Sequence, residues 1–482
     1  METYGIWIAG EAKPGRGKRT KLIAPATGRQ FATLAEASQA DLDEAIEIAD
    51  NAFRECGWHH WEPLKRAQVL NDCATALRAD SDRLARLETL NVGRPLKETL
   101  RNVELAADAF AYFASLTTHI RGATIPLSAD LFDYTVREPY GVCGVITPWN
   151  NPLVLSAWKL AAGLAAGNAL VVKPASLTPI TLLCMAQTLH DAGLPAGMLN
   201  VLPGPGVELG QQLAAHPLIR KISFTGSTDV GKQVMRAAAE HLVRVSLELG
   251  GKSPSIVFAD ADLDQAAVGS IPAMFANAGQ MCTARSRMLV DARIYEEFLA
   301  KLTEQVSRLK VGDPFLPETH VGPVISQGQL ESVLGFLQRA VAEGARVAVG
   351  GHRAVAGGLD TGFFVEPTLL TDVHDTMEVV REEIFGPVLV IDRFSTEAEA
   401  IRRANDTRYG LSATIWTRDL ARAHRVAGAL EVGTVTVNTT KVSHVYAPFG
   451  GYKASGIGRE LGLEGLSEFL QYKNVIMAIP AD

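Results

Sequence analysis

The sequence has 482 residues, of which 47% are hydrophobic and 21% are charged, values typical of a folded globular protein and unlike those of a disordered chain. Its 46 Lys and Arg residues against 53 Asp and Glu residues leave a formal net charge of −7. This balance argues against nucleic acid as a partner, because phosphate binding needs a concentrated positive field. At roughly 150 residues per domain, the length indicates about three domains.

The sequence contains neither a secretory signal nor a segment that would span a membrane. No basic stretch followed by an apolar run opens it, and its most apolar stretch, 160–172, is too short to cross a bilayer. The five cysteines form no C-x-x-C pair, which disfavours both a disulfide framework and a zinc site. We expect a cytoplasmic protein with no membrane association and no metal.

The N-terminal part predicts a short hairpin followed by helices. Residues 6–11, with 22–23, predict the hairpin. Apolar residues at helical spacing then predict helices over 39–56, 64–77 and 81–92. Pro95 ends the third of them.

From residue 140, short β-rich runs alternate with helical ones. Strands are predicted over 142–147, 169–173, 199–202 and 221–224, and helices over 153–166, 180–192, 207–215 and 230–239. Such alternation predicts a parallel, doubly wound sheet that binds ligands at the carboxyl ends of its strands.

A second alternating region covers residues 255–437. Its helices are predicted over 261–276, 294–309, 327–343, 396–404 and 420–430. Gly250 and Gly251 mark the junction between the two regions, and the apolar tail, 472–479, predicts a strand that needs a partner surface. The chain thus predicts two α/β domains and a small strand-based appendage.

Two residues are candidates for chemistry on their local sequence. Cys282 lies in a polar loop with Arg285 and Arg287 close behind, which fits a reactive thiolate, although a lone cysteine is more often a small buried hydrophobe. Glu248 stands between two leucines, where a carboxylate gains basicity and can act as a general base. The alternative for Glu248 is a strand-end ion pair with Lys252.

Residues 224–232 contain G-x-x-x-x-G-K, the spacing of a Walker A loop. Gln233 stands where Ser or Thr must bind magnesium, so we reject a nucleoside triphosphatase. The Gly226–Ser227 start of a helix still offers free N–H groups to a pyrophosphate.

Seven motifs occur in one order along the chain. They are Thr147-Pro-Trp-Asn-Asn-Pro152, Val172-Lys-Pro-Ala-Ser176, Phe224-Thr-Gly-Ser227, Glu248-Leu-Gly-Gly-Lys252, Gly279-Gln-Met-Cys282, Glu382-Glu-Ile-Phe-Gly-Pro387 and Pro448-Phe-Gly-Gly451. Together they closely resemble the NAD(P)-dependent aldehyde dehydrogenase superfamily, over nearly the whole chain.

The resemblance implies an α/β fold with a particular division. Residues 1–119 and 140–250 would form a Rossmann-like, doubly wound cofactor domain, and residues 251–467 a second α/β, catalytic domain. Residues 120–139 and 468–482 would form a small β oligomerisation arm, in a homodimer or homotetramer.

The resemblance also assigns the chemistry. Cys282 would attack the aldehyde to form a thiohemiacetal, and Asn150 would stabilise its oxyanion together with the Cys282 backbone N–H. After hydride transfer, Glu248 would activate the water that hydrolyses the thioester to a carboxylic acid. Glu460 matches a position linked in relatives to proton relay, with a surface salt bridge as the alternative.

For the cofactor, NAD or NADP, the matching positions surround the adenosine, the pyrophosphate and the nicotinamide ribose. They are Trp149, Lys173, Ser176, Gly226, Ser227, Glu383 and Phe385. NAD-preferring relatives often carry glutamate where this chain has Ser176, and glutamate would repel a 2′-phosphate. Serine would not repel the 2′-phosphate, and Lys173 could pair with it. We therefore predict that NADP is accepted.

For the substrate, a small-molecule aldehyde, the matching positions line a tunnel. They are Asn151, Leu155, Trp158, Ala276, Met281, Thr283, Ser443, His444, Tyr446 and Phe449. Aliphatic-selective relatives often carry phenylalanine where this chain has Asn151, Ala276 and Ser443, so the resemblance implies a wider and more polar mouth. We expect a bulky or polar aldehyde, aromatic or amino-substituted, unless loop shifts refill the space.

Three other functions remain open on the sequence. A dehydrogenase of the same fold could pass the acyl group to coenzyme A, although Glu248 argues for water. A non-catalytic binding protein would not need Cys282, Asn150 and Glu248. A hydrolase without a cofactor would leave the nucleotide motifs unexplained.

Overall fold

The computed structural model describes residues 2–441 and 443–479. Met1 of the expected cofactor domain, Val442 of the expected catalytic domain and residues 480–482 of the expected arm lie outside the described residues. The first part of the chain has strands β1 (Glu2–Tyr4), β2 (Ile6–Ile8), β3 (Glu11–Lys13), β4 (Arg19–Ala24) and β5 (Arg29–Ala35). Helices α1 (Gln39–Glu55), α2 (Pro63–Ala79), α3 (Ser81–Val92) and α4 (Leu96–Leu116) follow.

The middle of the chain alternates between strands and helices, as predicted. Its elements are β6 (Thr124–Ile125), β7 (Leu131–Pro139), β8 (Val142–Ile146), α5 (Pro152–Ala166), β9 (Ala169–Lys173), α6 (Ile180–Asp191), β10 (Leu199–Val201), α7 (Gly206–Ala214), β11 (Ile219–Thr225), α8 (Thr228–Ala238), β12 (Arg244–Glu248), β13 (Pro254–Val257), α9 (Leu263–Phe275) and β14 (Arg287–Asp291).

The remaining elements complete the second alternating region and the tail. They are α10 (Tyr295–Ser307), α11 (Gln327–Ala342), β15 (Arg346–Val349), β16 (Thr368–Thr371), α12 (Glu378–Arg381), β17 (Val388–Phe394), α13 (Glu397–Asn405), β18 (Tyr409–Gly410), β19 (Ser412–Trp416), α14 (Leu420–Ala429), β20 (Thr434–Val437), β21 (Tyr452–Lys453), β22 (Gly456–Ile457), α15 (Gly462–Ser467) and β23 (Leu470–Ala478).

Two sheets carry the two alternating regions. The first has the order β22-β12-β11-β8-β9-β10-β2-β3, with β12, β11, β8, β9 and β10 parallel to one another. The second has the order β15-β16-β17-β14-β13-β19-β20, parallel except for β15. Helices packed against parallel strands give the α/β fold that the alternation predicts.

The helix termini follow from local sequence. Helix α1 starts with a capping box in which the Ser38 side chain accepts from the Asp41 N–H and the Asp41 carboxylate accepts from the Ser38 N–H. Helix α5 has Pro152 as its first residue and ends at Gly167, whose φ of 99° suits glycine.

One expectation about the N-terminal part was wrong, and one helix was not predicted. Strands β2 and β3 form the hairpin, but residues 22–23 lie in β4, which pairs with β5 in a separate sheet. Helix α3 ends before Pro95, as predicted, but Pro95 also directly precedes α4, a helix that was not predicted from the sequence. Phe110 and Phe113 of α4 are fully buried.

The predicted arm is a small sheet of its own. Strand β7 pairs antiparallel with both β23 and β6 in the order β23-β7-β6. Phe132 on β7 and Ile476 on β23 are 43% and 57% exposed. The predicted C-terminal strand is therefore confirmed, and it presents apolar side chains at the surface.

Candidate active site

Parallel strands of the first sheet bring the predicted cofactor residues to one edge. Asn150 follows β8, Lys173 ends β9, Ser227 follows β11 and Glu248 ends β12. Because the carboxyl ends of parallel strands share an edge, these residues, up to about 100 positions apart in the sequence, lie at one edge of the sheet.

The Cys282 loop is held in an unusual backbone conformation. After α9, residues Asn277, Ala278 and Gly279 have φ values of 49°, 54° and 73°. The Asn277 side chain donates hydrogen bonds to the carbonyls of Asn150 (2.8 Å) and Gln280 (3.3 Å). These bonds compensate for left-handed backbone that costs about 1–2 kcal/mol per non-glycine residue.

Asn150 is tied to the same loop from the other side. Its side-chain Nδ2 donates to the Gln280 carbonyl at 2.8 Å, and the residue is 4% exposed. Asn150 and the partly exposed Cys282 line one cavity of about 440 Å³. The loop that carries the candidate nucleophile and the loop that carries the candidate oxyanion donor therefore form one hydrogen-bonded unit.

The surroundings of Cys282 favour the neutral thiol. Burial, together with the nearby carboxyl groups of Glu383 and Glu248, raises the pKa of Cys282 to about 12. The thiol therefore needs a base or an added positive charge before it can attack a carbonyl.

Glu248 has a buried carboxyl group without hydrogen-bond partners among the described residues. It is 4% exposed, and neither of its side-chain oxygens accepts a hydrogen bond from any residue in 2–441 or 443–479. Burial raises its pKa well above the ordinary value, against the opposing effect of Lys159. The alternative pairing with Lys252 is wrong, because the Lys252 ammonium donates to the Val379 carbonyl at 2.8 Å.

Glu460 is not part of a surface salt bridge. It is 7% exposed and forms an ion pair with Lys159, which is 1% exposed. Burial lowers the pKa of Lys159 to about 7, and the Glu248 carboxyl opposes that shift. Glu248, Lys159 and Glu460 are therefore neighbouring buried ionisable groups rather than separate surface charges.

The predicted nicotinamide end is built around Glu383. This carboxylate accepts the Gly251 N–H at 3.0 Å, and burial raises its pKa to about 7. A Cβ atom at Gly250 would lie 2.1 Å from Glu383 Oε2, so any other residue at this position would displace the carboxylate. Phe385 has a φ of 55° and packs edge-on against Trp149 with ring centroids 5.2 Å apart.

The predicted adenosine and phosphate end is polar. The buried Lys173 ammonium donates to the Pro174 carbonyl at 3.1 Å, and the Ser176 hydroxyl donates to the Gly204 carbonyl at 2.5 Å. Ser227 caps helix α8, which begins at Thr228. The buried Lys173 ammonium, whose only hydrogen-bond partner among the described residues is a carbonyl, and a helix N-terminus fit the hydroxyl and phosphate oxygens of a dinucleotide.

The predicted tunnel residues lie on the walls of two adjoining cavities. The cavity that contains Cys282 is lined by Asn151, Leu155 and Phe449, the second, of about 470 Å³, by His444 and Tyr446, and both by Trp158, Ala276, Met281, Thr283 and Ser443. Asn151 also accepts a hydrogen bond from Asn102 at 2.9 Å, so its amide oxygen has a partner within the protein.

Sequence reasoning missed a set of charged wall residues. They are Arg94, Lys97, Glu98, Arg101, Asp108, Arg285 and Lys441. Lys97, Glu98, Arg101 and Asp108 all lie on α4, so recognising that helix would have placed them on one face.

Two further properties concern the described residues alone. Within 2–441 and 443–479, no group of three or more His, Cys, Asp and Glu side chains is placed to hold a metal ion. In the same part of the chain, no helix is both long enough and apolar enough to cross a membrane.

Comparison with known proteins agrees with the resemblance. The model of the aldehyde dehydrogenase family matches residues 12–475. An aldehyde dehydrogenase-like protein of Schizosaccharomyces pombe is 43% identical over 468 residues, which are 97% of this chain and 92% of the relative.

Solved structures agree over the same length. The NAD+ complex of an aldehyde dehydrogenase from Bacillus cereus has a TM-score of 0.97 at 41% identity, covering 99% of this chain and 97% of that one. A betaine aldehyde dehydrogenase from Staphylococcus aureus in complex with NAD+ also has a TM-score of 0.97, at 37% identity, with 99% and 95% covered. The chain therefore belongs to the aldehyde dehydrogenase family, the NAD(P)-dependent oxidoreductases that act on the aldehyde group.

Proposed function

We propose that this protein oxidises an aldehyde to a carboxylic acid through covalent intermediates on Cys282, with NAD or NADP as the oxidant. The observation that supports this best is the hydrogen-bonded frame of Asn150, Asn277 and Gln280 around the Cys282 loop. Such a frame fits a reaction in which the nucleophile and the oxyanion donor must hold one geometry.

In the first step, the Cys282 thiol releases its proton to water, and the resulting thiolate adds to the carbonyl carbon and forms a thiohemiacetal. Asn150 uses one amide hydrogen on the Gln280 carbonyl, which leaves its second hydrogen for the oxyanion. The Cys282 backbone N–H is the other donor. Loss of one such donor typically lowers turnover about 10²–10³-fold.

The nicotinamide supplies the acceptor for the hydride that leaves the former aldehyde carbon. We propose that Glu383, Phe385 and Trp149 hold its end of the dinucleotide, and that Lys173, Gly226 and Ser227 hold the adenosine ribose and pyrophosphate. The NAD+ complexes of the Bacillus cereus and Staphylococcus aureus relatives support NAD as one cofactor. Ser176, half-buried and three residues after Lys173 in the sequence, supports NADP as a second cofactor.

In the second step, Glu248 removes a proton from the water that attacks the thioester. Its poorly solvated carboxyl suits a base, because its basicity is higher than that of an ordinary glutamate. We propose that the neighbouring buried pair of Lys159 and Glu460 carries this proton away from Glu248.

We propose a bulky or polar aldehyde, aromatic or amino-substituted, as the substrate. Asn151, Ala276 and Ser443 make small or polar patches on the cavity walls, and the two adjoining cavities offer about 440 and 470 Å³. This space exceeds what a short alkanal needs.

Product analysis tests the proposed reaction. The protein is incubated with NAD+ and benzaldehyde, with and without coenzyme A, and the products are identified by mass spectrometry. Benzoic acid in both samples supports hydrolysis, whereas a thioester formed only with coenzyme A would establish the acylating alternative. The Cys282→Ala variant should form no product while retaining NAD+ binding. If the wild-type protein produces no reduced cofactor, the non-catalytic alternative is supported.

We also propose the domain division and assembly that the resemblance implies. Two main hydrophobic clusters support it: the larger is drawn mostly from residues 6–249, and the other from 257–416. The exposed apolar side chains of the arm support a homodimer or homotetramer. The described cysteines are all free, which fits a cytoplasmic location.

A further inference from the structure

Arg285 is a buried cation whose partners are all neutral. It is 2% exposed, and its guanidinium donates to Thr414 Oγ1 (2.8 Å), Ser412 Oγ (2.6 Å) and the Thr283 carbonyl (2.5 Å). Its Nη2 atom has no hydrogen-bond partner among the described residues, and the residue lines the second cavity. Since a buried charge is costly without an opposite charge, an anion bound in this cavity would stabilise the Arg285 guanidinium.

Arg94, in the cavity that contains Cys282, also has a buried guanidinium donor without a hydrogen-bond partner among the described residues. It is 7% exposed, and its Nε pairs with Glu98 at 2.7 Å. Its Nη1 atom is buried and has no hydrogen-bond partner within the described residues. Each of the two adjoining cavities therefore has a buried guanidinium with a donor that has no partner among the described residues.

Arg101 connects the two cavities, because it lines both. It is exposed and makes neither a hydrogen bond nor an ion pair with any residue in 2–441 or 443–479. The acidic wall residues are already neutralised, since Glu98 pairs with Arg94, and Asp108 pairs with Arg78 at 2.6 Å. Lys97 and Lys441 add further positive charge to the walls.

We propose that the substrate aldehyde carries an anionic oxygen group, a carboxylate or a phosphate, and that Arg285 Nη2 and Arg101 bind it, with Arg94 on the adjoining wall. This inference rests on the proposed function and narrows it, because the same walls repel an amino-substituted aldehyde. Guanidinium groups suit this task, since their paired N–H donors match the oxygens of carboxylate and phosphate. Burial lowers the pKa of Arg285 to about 9, so the group still carries its charge at neutral pH.

Aldehydes that differ only in the charge of one substituent test the proposal in the intact enzyme with NAD+. The probes are 4-carboxybenzaldehyde, its methyl ester, 4-formylphenyl phosphate and 4-(trimethylammonio)benzaldehyde. We expect kcat/KM for the acid to exceed that for the ester about 10- to 100-fold, the value for one or two charge-assisted hydrogen bonds. A comparison of kcat/KM for 4-formylphenyl phosphate and for the acid decides which anion the site prefers. The cationic probe should have the lowest kcat/KM of the four.

Two variants assign the effect to the arginines. Arg285→Met and Arg101→Gln should each lower kcat/KM for the acid about 10-fold more than that for the ester. Arg308→Gln, at an exposed arginine that directly follows α10 and pairs with Glu304, is the matched control and should leave the acid-to-ester ratio unchanged. Because Arg101 is exposed, its variant keeps the test valid even if Arg285→Met fails to fold.

Equal kcat/KM for acid and ester in the wild type, or a preference for the cation, would overturn the inference while leaving aldehyde oxidation intact. An acid-to-ester ratio unchanged in Arg101→Gln and in folded Arg285→Met would overturn it as well. Absence of reduced cofactor with every aldehyde would refute the proposed function itself, and this inference with it.

Discussion

The side-chain amide of Asn277 donates a hydrogen bond to the backbone carbonyl of Asn150 at 2.8 Å. Asn277 lies in the left-handed segment five residues before Cys282, and Asn150 lies in the loop after β8. This one amide therefore ties the candidate nucleophile loop to the candidate oxyanion donor.

Substitution of Asn277 should reduce turnover without removing any group that touches the substrate. Asn277→Gly keeps the backbone conformation but loses the amide, and we expect kcat to fall at least about 10-fold because the two loops lose their register. Asn277→Ala should lose a further ~1 kcal/mol of stability, since alanine is strained at a φ of 49°. Steady-state kinetics and urea unfolding of both variants measure the two effects. Full kcat in folded Asn277→Gly would show that the frame does not position the reaction.

Glu248→Gln should separate the two halves of the reaction. We expect a burst of about one reduced cofactor per active site, because water can take the Cys282 thiol proton in acylation, followed by steady-state turnover about 10²–10⁴-fold slower than in the wild type. Stopped-flow absorbance and mass spectrometry of the acylated Cys282 measure both phases. Unchanged steady turnover would remove Glu248 from the assigned role.

The raised pKa of Glu248 also predicts how stability depends on pH. In the folded state the buried carboxyl holds its proton more tightly than in the unfolded chain. Ionisation above the unfolded pKa therefore costs free energy in the folded state alone, so the native state loses stability as pH rises from that value through the raised folded pKa. Glu248→Gln should raise the Tm more at about pH 8 than at about pH 5. An equal change in Tm at both pH values would contradict the shift.

The sequence predicted the elements whose signals are local. Strand β9, an apolar run that ends before Pro174, has the predicted bounds, and α3 begins and ends where predicted. Helix α4 was missed because Pro95 was interpreted only as the end of the preceding helix, although proline also often precedes a helix.

Features that depend on distant partners were beyond prediction. The burial of Glu460 depends on Lys159, which is 301 positions away in the sequence. The orientation of the Arg285 guanidinium depends on Ser412 and Thr414 of β19, which accept hydrogen bonds from its Nη1 and Nε atoms. The seven motifs identified candidate residues, but the charge of the cavity walls follows only from the packing.

Cofactor choice should depend on the charge at position 176. The Ser176 hydroxyl donates to the Gly204 carbonyl at 2.5 Å, and the buried Lys173 lies three residues earlier in the sequence. Ser176→Glu should lower kcat/KM for NADP about 100-fold through repulsion of the 2′-phosphate, with little loss for NAD. Ser176→Gln has nearly the same shape without the charge and should retain most NADP activity. Wild-type preference for NAD by more than about 100-fold would contradict the prediction that NADP is accepted.

The arm should hold subunits together through its apolar side chains. Ile476 is 57% exposed on β23, beside Asp133 of β7, and Phe132 and Met477 are a neighbouring exposed pair in the same sheet. Because exposed apolar strands are normally covered, we expect a homodimer or homotetramer in analytical ultracentrifugation. The Ile476→Asp variant should sediment as a smaller oligomer or a monomer, since association would bury an unpaired carboxylate. Leu420→Asp introduces the same charge at an exposed apolar residue of α14, outside the arm, and should leave the assembly intact. Wild-type protein that sediments as a monomer at micromolar concentration would show that the arm has another role.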